Sequence, residues 1–207
     1  MSNKISILKY GTGNLNSIIR AINHFGYEVE LVQNTNEIVN CNKLILPGIG
    51  ASKYVMDYLN ASERNHAIIE LINKGRPVLG ICLGMQILLS ENEEFGIHRA
   101  LDIIPGKVLN INSLSKDLVV PHMGWTKTEY NKVNDDIKLI EDNQYFYYAH
   151  SFYCKVNEEN IFALEAQHLI KDEDPFYNAI LENNENYQIT ATGLGLDNSL
   201  PFYNITQ

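Results

Sequence analysis

A chain of 207 residues, 45% of them hydrophobic, has the length of one domain and enough apolar residues for an ordinary core. Its formal net charge of −9 repels phosphate, which argues against nucleic acid and anionic membrane as partners and leaves small molecules and proteins. Cys41, Cys82 and Cys154 are odd in number and show no CxxC spacing, which argues against a disulfide framework or a zinc site and for a reducing cytoplasm.

The start, MSNKISILKYG, is too short and interrupted for a signal peptide, and no apolar run reaches membrane-spanning length. Ile5 to Leu8 reads as a strand and Gly11 and Gly13 as a tight turn. Leu15, Ile18, Ile19, Ile22 and Phe25 then recur at helical spacing up to a stop at Gly26. Val29 to Val32 and Leu44 to Leu46 read as strands, the second ended by Pro47-Gly48. Helices are expected over Ser52 to Leu59, capped by Ser52, and over Glu63 to Asn73, closed by Gly75. Pro77 to Ile81 reads as a strand that runs into a helix after Cys82. Strands alternating with helices predict an α/β fold, an open, mostly parallel sheet flanked by helices.

The second half changes character. Lys107 to Ile111, Thr126 to Glu129, Tyr145 to Tyr153, Ile161 to Glu165 and Phe176 to Leu181 read as strands, which predicts an antiparallel extension of the sheet. The acidic cluster from Lys171 to Asp174 reads as a solvated loop. No linker or repeat divides the chain, so residues 1–207 read as a single domain with an atypical Gly-, Asn- and Thr-rich tail over 187–207.

Gly80-Ile81-Cys82-Leu83-Gly84 has the form G-x-C-x-G. A sharp strand-to-helix turn strains its central residue and crowds the flanking chain, and glycines on either side remove the side chains that would collide. The central side chain then projects at the carboxyl ends of the strands, where open α/β sheets bind ligands. There Cys82 is a candidate nucleophile, its thiolate favoured by the start of the next helix. The Leu83 amide is a candidate oxyanion donor. The plainer reading is an apolar cysteine between two glycines used for packing.

Gly80-Ile81-Cys82-Leu83-Gly84-Met85-Gln86 resembles the nucleophile motif of class I, triad-type glutamine amidotransferases. Tyr10-Gly11-Thr12-Gly13-Asn14-Leu15, Pro47-Gly48-Ile49-Gly50, Ile104-Pro105-Gly106-Lys107-Val108, Pro121-His122-Met123-Gly124-Trp125 and Tyr148-Ala149-His150-Ser151-Phe152 are similar to segments of one branch of that family, the glutaminase subunits of imidazole glycerol phosphate synthase. The resemblance spans residues 4 to 154, roughly three quarters of the chain. It implies glutamine hydrolysis, in which Cys82 attacks the side-chain amide, ammonia leaves, and water resolves a glutamyl thioester. It implies amides of Leu83 and Ile49 as oxyanion donors, and Gly50, Gln86 and Ser151 as contacts to glutamine. It also implies a (β/α)8-barrel synthase subunit as protein partner, receiving the ammonia for histidine biosynthesis or a surface-sugar pathway.

The family's base is a histidine followed two residues later by an orienting glutamate, in a His-Pro-Glu run. This sequence has no such run, and its last histidine is His168, in Ala166-Gln167-His168-Leu169-Ile170. Three readings stand. The chain is a non-catalytic subunit that docks on the synthase and regulates it, or its tail differs from the ancestral one, or another residue such as His168 serves as base. General acid–base catalysis is worth ~10²–10⁴-fold, so the difference is large. Lys9, where the family usually has an acidic residue, and Ala100-Leu101-Asp102, in place of a more glycine-rich stretch, are smaller departures. A thiol hydrolase of dienelactone-hydrolase type, which also uses G-x-C-x-G, is a further alternative.

His122 and Trp125 read either as a structural turn or as a surface facing the partner, and His150 as a satisfied, half-buried histidine. The aromatic stretch of Tyr145, Phe146, Tyr147, Tyr148, Phe152 and Tyr153 reads as packing. Gly11-Thr12-Gly13 lacks the third glycine of a dinucleotide loop, and no Gly-Lys-Ser/Thr follows. His24, His66 and His98 have no ligand-like partners nearby in sequence, so neither a metal nor a cofactor is expected.

Overall fold

The computed structural model describes residues 4–11, 13–130, 145–156 and 164–166. The expected strand Phe176 to Leu181, the loop Lys171 to Asp174, His168 and the tail 187–207 lie outside them.

The first half is built from β1 (Lys4–Leu8), α1 (Leu15–His24), β2 (Glu28–Val32), α2 (Thr35–Val39), β3 (Leu44–Leu46), α3 (Ser52–Asn60), α4 (Arg64–Asn73) and β4 (Val78–Gly80). The four strands pair in parallel in the order β2-β1-β3-β4. Alternation along each strand supplies two apolar faces. Ile7 and Ile45 pack with Ile22 of α1 on one face. Leu8, Leu44 and Leu46 pack with Val55 and Leu59 of α3 and Ile68 and Leu71 of α4 on the other. The mostly parallel α/β architecture with helices on both faces is as expected.

Boundaries differ in informative places. Ser52 is the first helical residue of α3, not its cap; Ala51 occupies the cap position with no side-chain hydrogen bond. A further helix, α2, is held by a capping box in which Asn34 accepts from the Glu37 N–H while Glu37 accepts from the Asn34 N–H. The helix after Cys82 is short. α5 spans Leu83–Gln86, and β5 (Leu89–Asn92) comes almost at once. The apolar run Ile87-Leu88-Leu89 suits a continuation of that helix by pattern. Pairing decides otherwise, because Leu89 aligns with Ile104 of β7 (Ile104–Asn110).

β6 (His98–Arg99), β8 (His122–Tyr130), β9 (Tyr145–His150), β10 (Phe152–Val156) and β11 (Leu164–Ala166) complete the described strands. The aromatic stretch expected as one strand is broken at Ser151 into β9 and β10. Among the described residues the later strands hydrogen-bond as two further sheets, β10-β7-β5-β6 and β11-β8-β9, instead of continuing the parallel one. Cys154, Val108, Leu89 and Ile104 nevertheless join the same hydrophobic core as Leu46 and Leu83, so the extension is packed onto the first half. Among the described residues no helix is long and apolar enough to cross a membrane.

Candidate active site

β3 and β4 end side by side, and the segments beyond their carboxyl ends are pressed against each other. Ile81 donates its N–H to the Leu46 carbonyl at 2.9 Å, prolonging the pairing to the residue before Cys82. Cys82 then takes φ 50° and ψ −109°, a left-handed backbone that costs a side-chain-bearing residue on the order of 1–3 kcal/mol. The cost is held in place by surroundings that leave no alternative. A Cβ on Gly80 would lie 2.6 Å from the Gly84 carbonyl oxygen and from the Met85 amide. A Cβ on Gly84 would strike the Leu46 carbonyl, and one on Gly48 would strike the Leu83 side chain. The steric role expected of Gly80 and Gly84 is therefore present, and Gly48 extends it to the neighbouring segment. The turn closes with Gly84 N–H on the Ile81 carbonyl at 2.9 Å and Met85 and Gln86 N–H on the Cys82 carbonyl at 3.0 and 3.1 Å.

The Leu83 N–H donates to the Cys82 sulfur and draws its pKa down. Burial acts in the opposite direction and is larger, and the Glu94 carboxylate adds to it, so the thiol lies above its ordinary value. The helix start does favour thiolate, through the Leu83 N–H, but burial outweighs it. α5 has four residues, too few for an appreciable dipole, and the sulfur is only partly exposed. Two further groups have their pKa raised, first by burial and then by the charge of Cys82: Tyr10, nearly fully buried with a hydroxyl that has no hydrogen-bond partner among the described residues, and Cys154 in the core.

Of the residues expected with Cys82, Leu83 and Gln86 share its turn, Gln86 being buried at the end of α5. Ile49 and Gly50 lie in the segment after β3 that Gly48 presses against Leu83 and Gly84. Ile49 is exposed, and Gly50 has φ 115°, a conformation that suits only glycine. Ser151 is the bend between β9 and β10, where the chain passes from one later sheet to the other, and its carbonyl accepts the Ile111 N–H at 3.0 Å.

His150 is half-buried. The Phe152 carbonyl, 2.8 Å from its Nδ1, can only accept, so Nδ1 carries the proton. Nε2 of His150 is then the acceptor for His122 Nδ1–H at 3.0 Å, and His122 Nε2 accepts from the Thr126 hydroxyl at 2.8 Å. His122 is fully enclosed and stacked on Tyr148, whereas Trp125 is 71% exposed and meets Tyr147 edge-on.

Sequence reasoning missed Glu94. It lies in a polar run between β5 and β6, and its Oε2 accepts the Ser52 N–H at 2.8 Å, across 42 residues. No spacing signals such a contact; only the packing of the β5–β6 turn against the start of α3 makes it. Among the described residues no group of three or more His, Cys, Asp or Glu side chains could hold a metal ion.

The model of the family described as glutamine amidotransferase class-I matches residues 6–188. The chain is 42% identical over 154 residues to the imidazole glycerol phosphate synthase subunit HisH of Chlorobaculum tepidum, covering 74% of this chain and 76% of the relative. It is 36% identical over 179 residues to the protein of the same name in Chlorobium chlorochromatii, covering 86% and 87%. Among solved structures, a crystal structure of a glutamine amidotransferase superposes with a TM-score of 0.59 over 79% of each chain at 16% identity, a likeness of fold.

Proposed function

The chain belongs to the class I glutamine amidotransferases, and from that premise we propose that it is the glutaminase subunit of an imidazole-glycerol-phosphate-synthase-type enzyme. The observation that carries the reading is the strained Cys82 turn with the Leu83 N–H directed at its sulfur. The thiol must first lose its proton, since it rests above the usual range. The sulfur then adds to the side-chain carbonyl carbon of glutamine. The resulting oxyanion takes its hydrogen bonds from the amides of Leu83 and Ile49, two segments that Gly48 holds in contact. The carbon–nitrogen bond breaks, the proton given up by the thiol passes to the departing nitrogen, and ammonia leaves. Water attacks the thioester, releasing glutamate and restoring the thiol.

Glutamine is a zwitterion, so its site needs an anion for the ammonium end. Glu94 has one oxygen on Ser52, while Oε1 has no hydrogen bond among the described residues, and its charge reaches the Cys82 thiol. Gly50, Gln86 and Ser151 are proposed to line the remainder. The whole chain acts as one domain in the cytoplasm and passes ammonia to a (β/α)8-barrel synthase subunit. Val119, Met123 and Trp125, exposed around the start of β8, are proposed to face that partner. Trp125→Ala should weaken the complex by ~10-fold or more, read by calorimetric titration, as truncating a central aromatic anchor does elsewhere.

The test of the function is glutamate release by the complex with its synthase. Turnover that vanishes in Cys82→Ala supports the reading. An intact complex with no turnover in the wild type would replace it with a docking and regulatory subunit.

A further inference from the structure

Resting on the glutaminase reading, we infer that Ser52 and His98 are positioning residues that hold the Glu94 carboxylate against the segment after β3, which packs on the Cys82 turn, and so set recognition of the amino-acid end of the substrate. The base of the turn between β5 and β6 is held by the pairing of Asn92 with His98 and by the Glu93 N–H on the Val108 carbonyl at 3.0 Å, but its tip has no apolar anchor. Phe95 and Ile97 are 82% and 76% exposed, so no large apolar side chain anchors its tip. Phe95 and Gly96 both take left-handed φ, 57° and 100°, which makes the turn tight but does not attach it to anything.

Hydrogen bonds attach it. The His98 Nδ1 lies 2.9 Å from the Gly96 carbonyl, a group that only accepts, so Nδ1 carries the proton. Nε2 of the neutral ring is then an acceptor, and the Ser52 hydroxyl donates to it at 3.0 Å. Ser52 is completely buried and gives its backbone N–H to Glu94 Oε2 at 2.8 Å, so one residue ties both ends of the turn. The Glu94 N–H goes to Asn92 Oδ1 at 2.7 Å, which fixes the backbone from which the carboxylate extends. Ser52 lies two residues beyond Gly50, and Gly48 touches Leu83, so the clamp is continuous with the cysteine turn.

A plainer role for Glu94 is to cap α3, since Ala51 has no side chain able to do so. Capping alone would change stability and leave substrate recognition untouched. The two roles separate when Cys82 is alkylated by two electrophiles, iodoacetamide, which has no amino-acid end, and a glutamine-shaped diazoketone, which has one. Wild type should prefer the diazoketone. Ser52→Ala and His98→Ala keep the Ser52 N–H but remove the hydroxyl–imidazole hydrogen bond that ties the turn carrying Glu94 to α3, so each should cut that preference by ~10-fold while the iodoacetamide rate does not fall. His98→Gln, which returns an acceptor within reach of Ser52, should recover most of it. Circular dichroism and thermal melting check folding. If His98→Ala and Ser52→Ala keep the preference, or lose both rates together, the clamp is wrong while the glutaminase reading survives. If wild type shows no preference, both fall.

Discussion

Cys82 is the one residue on which the chemistry turns, and its environment sets a measurable pH dependence. Burial and the Glu94 charge raise its pKa, and the Leu83 N–H offsets only part of this. Alkylation by iodoacetamide requires thiolate, so the rate should still be climbing when pH passes the ordinary thiol value of about 8.5. Glu94→Gln removes one of the two raising influences and should slide the profile toward lower pH. A plateau near neutrality in the wild type would show a thiolate already formed and overturn this account. The cysteine itself was legible in the sequence because its requirement is local: two glycines at fixed offsets, each clearing space for the turn. Glu94, Ser52 and His98 were not legible, since their relation exists only after chain segments 42 and 46 residues apart have packed together.

Strand and helix assignments in the first half were readable because each element's pattern agrees with its packing. Ile7 and Ile45 go to one side of the sheet, and Leu8, Leu44 and Leu46 to the other. The reading failed where an apolar run that suits a helix gives way to a paired strand, at Ile87-Leu88-Leu89, and where a break interrupts an aromatic run, at Ser151. The turn glycines divide in the same way into those that need space and those that need a backbone conformation. Gly84 has no positive φ, yet its Cβ would meet the Leu46 carbonyl, a backbone atom that cannot swing aside. Gly26 has φ 77° and nothing within 4 Å. Gly84→Ala should therefore cost more than about 3 kcal/mol, since overpacking against fixed backbone exceeds the usual range. Gly26→Ala should cost about 1 kcal/mol of backbone strain. Urea denaturation of the two variants measures the difference, and equal losses would show that the contact between β3 and the cysteine turn is slack.

At the scale of the whole molecule, the three cysteines bias stability in one direction with pH. Cys41, Cys82 and Cys154 form no disulfide, and burial raises the pKa of each above its unfolded value. Below about pH 8.5 both folded and unfolded chains keep these protons, so the contribution is fully present there. Above that pH the unfolded chain sheds protons that the folded chain retains, and release favours unfolding. Stability must fall as pH rises, until the folded pKa is reached. Tyr10, raised in the same direction by burial, adds the same sign from about pH 10 upward. The chain's net charge of −9 also grows more negative over this range, and self-repulsion lowers stability too. The two effects separate by difference. Cys154 is completely enclosed in the core, and a Cys154→Ala variant loses one titrating group while keeping almost all of the charge. Its cavity lowers stability by a similar amount at every pH, so only the slope carries the thiol's contribution. Between about pH 8.5 and pH 10 the wild type should lose up to ~1.4 kcal/mol more per pH unit than Cys154→Ala. Parallel slopes in urea denaturation across that window would mean that Cys154 gives up its proton as readily in the folded chain as in the unfolded one, and that this part of the core admits water.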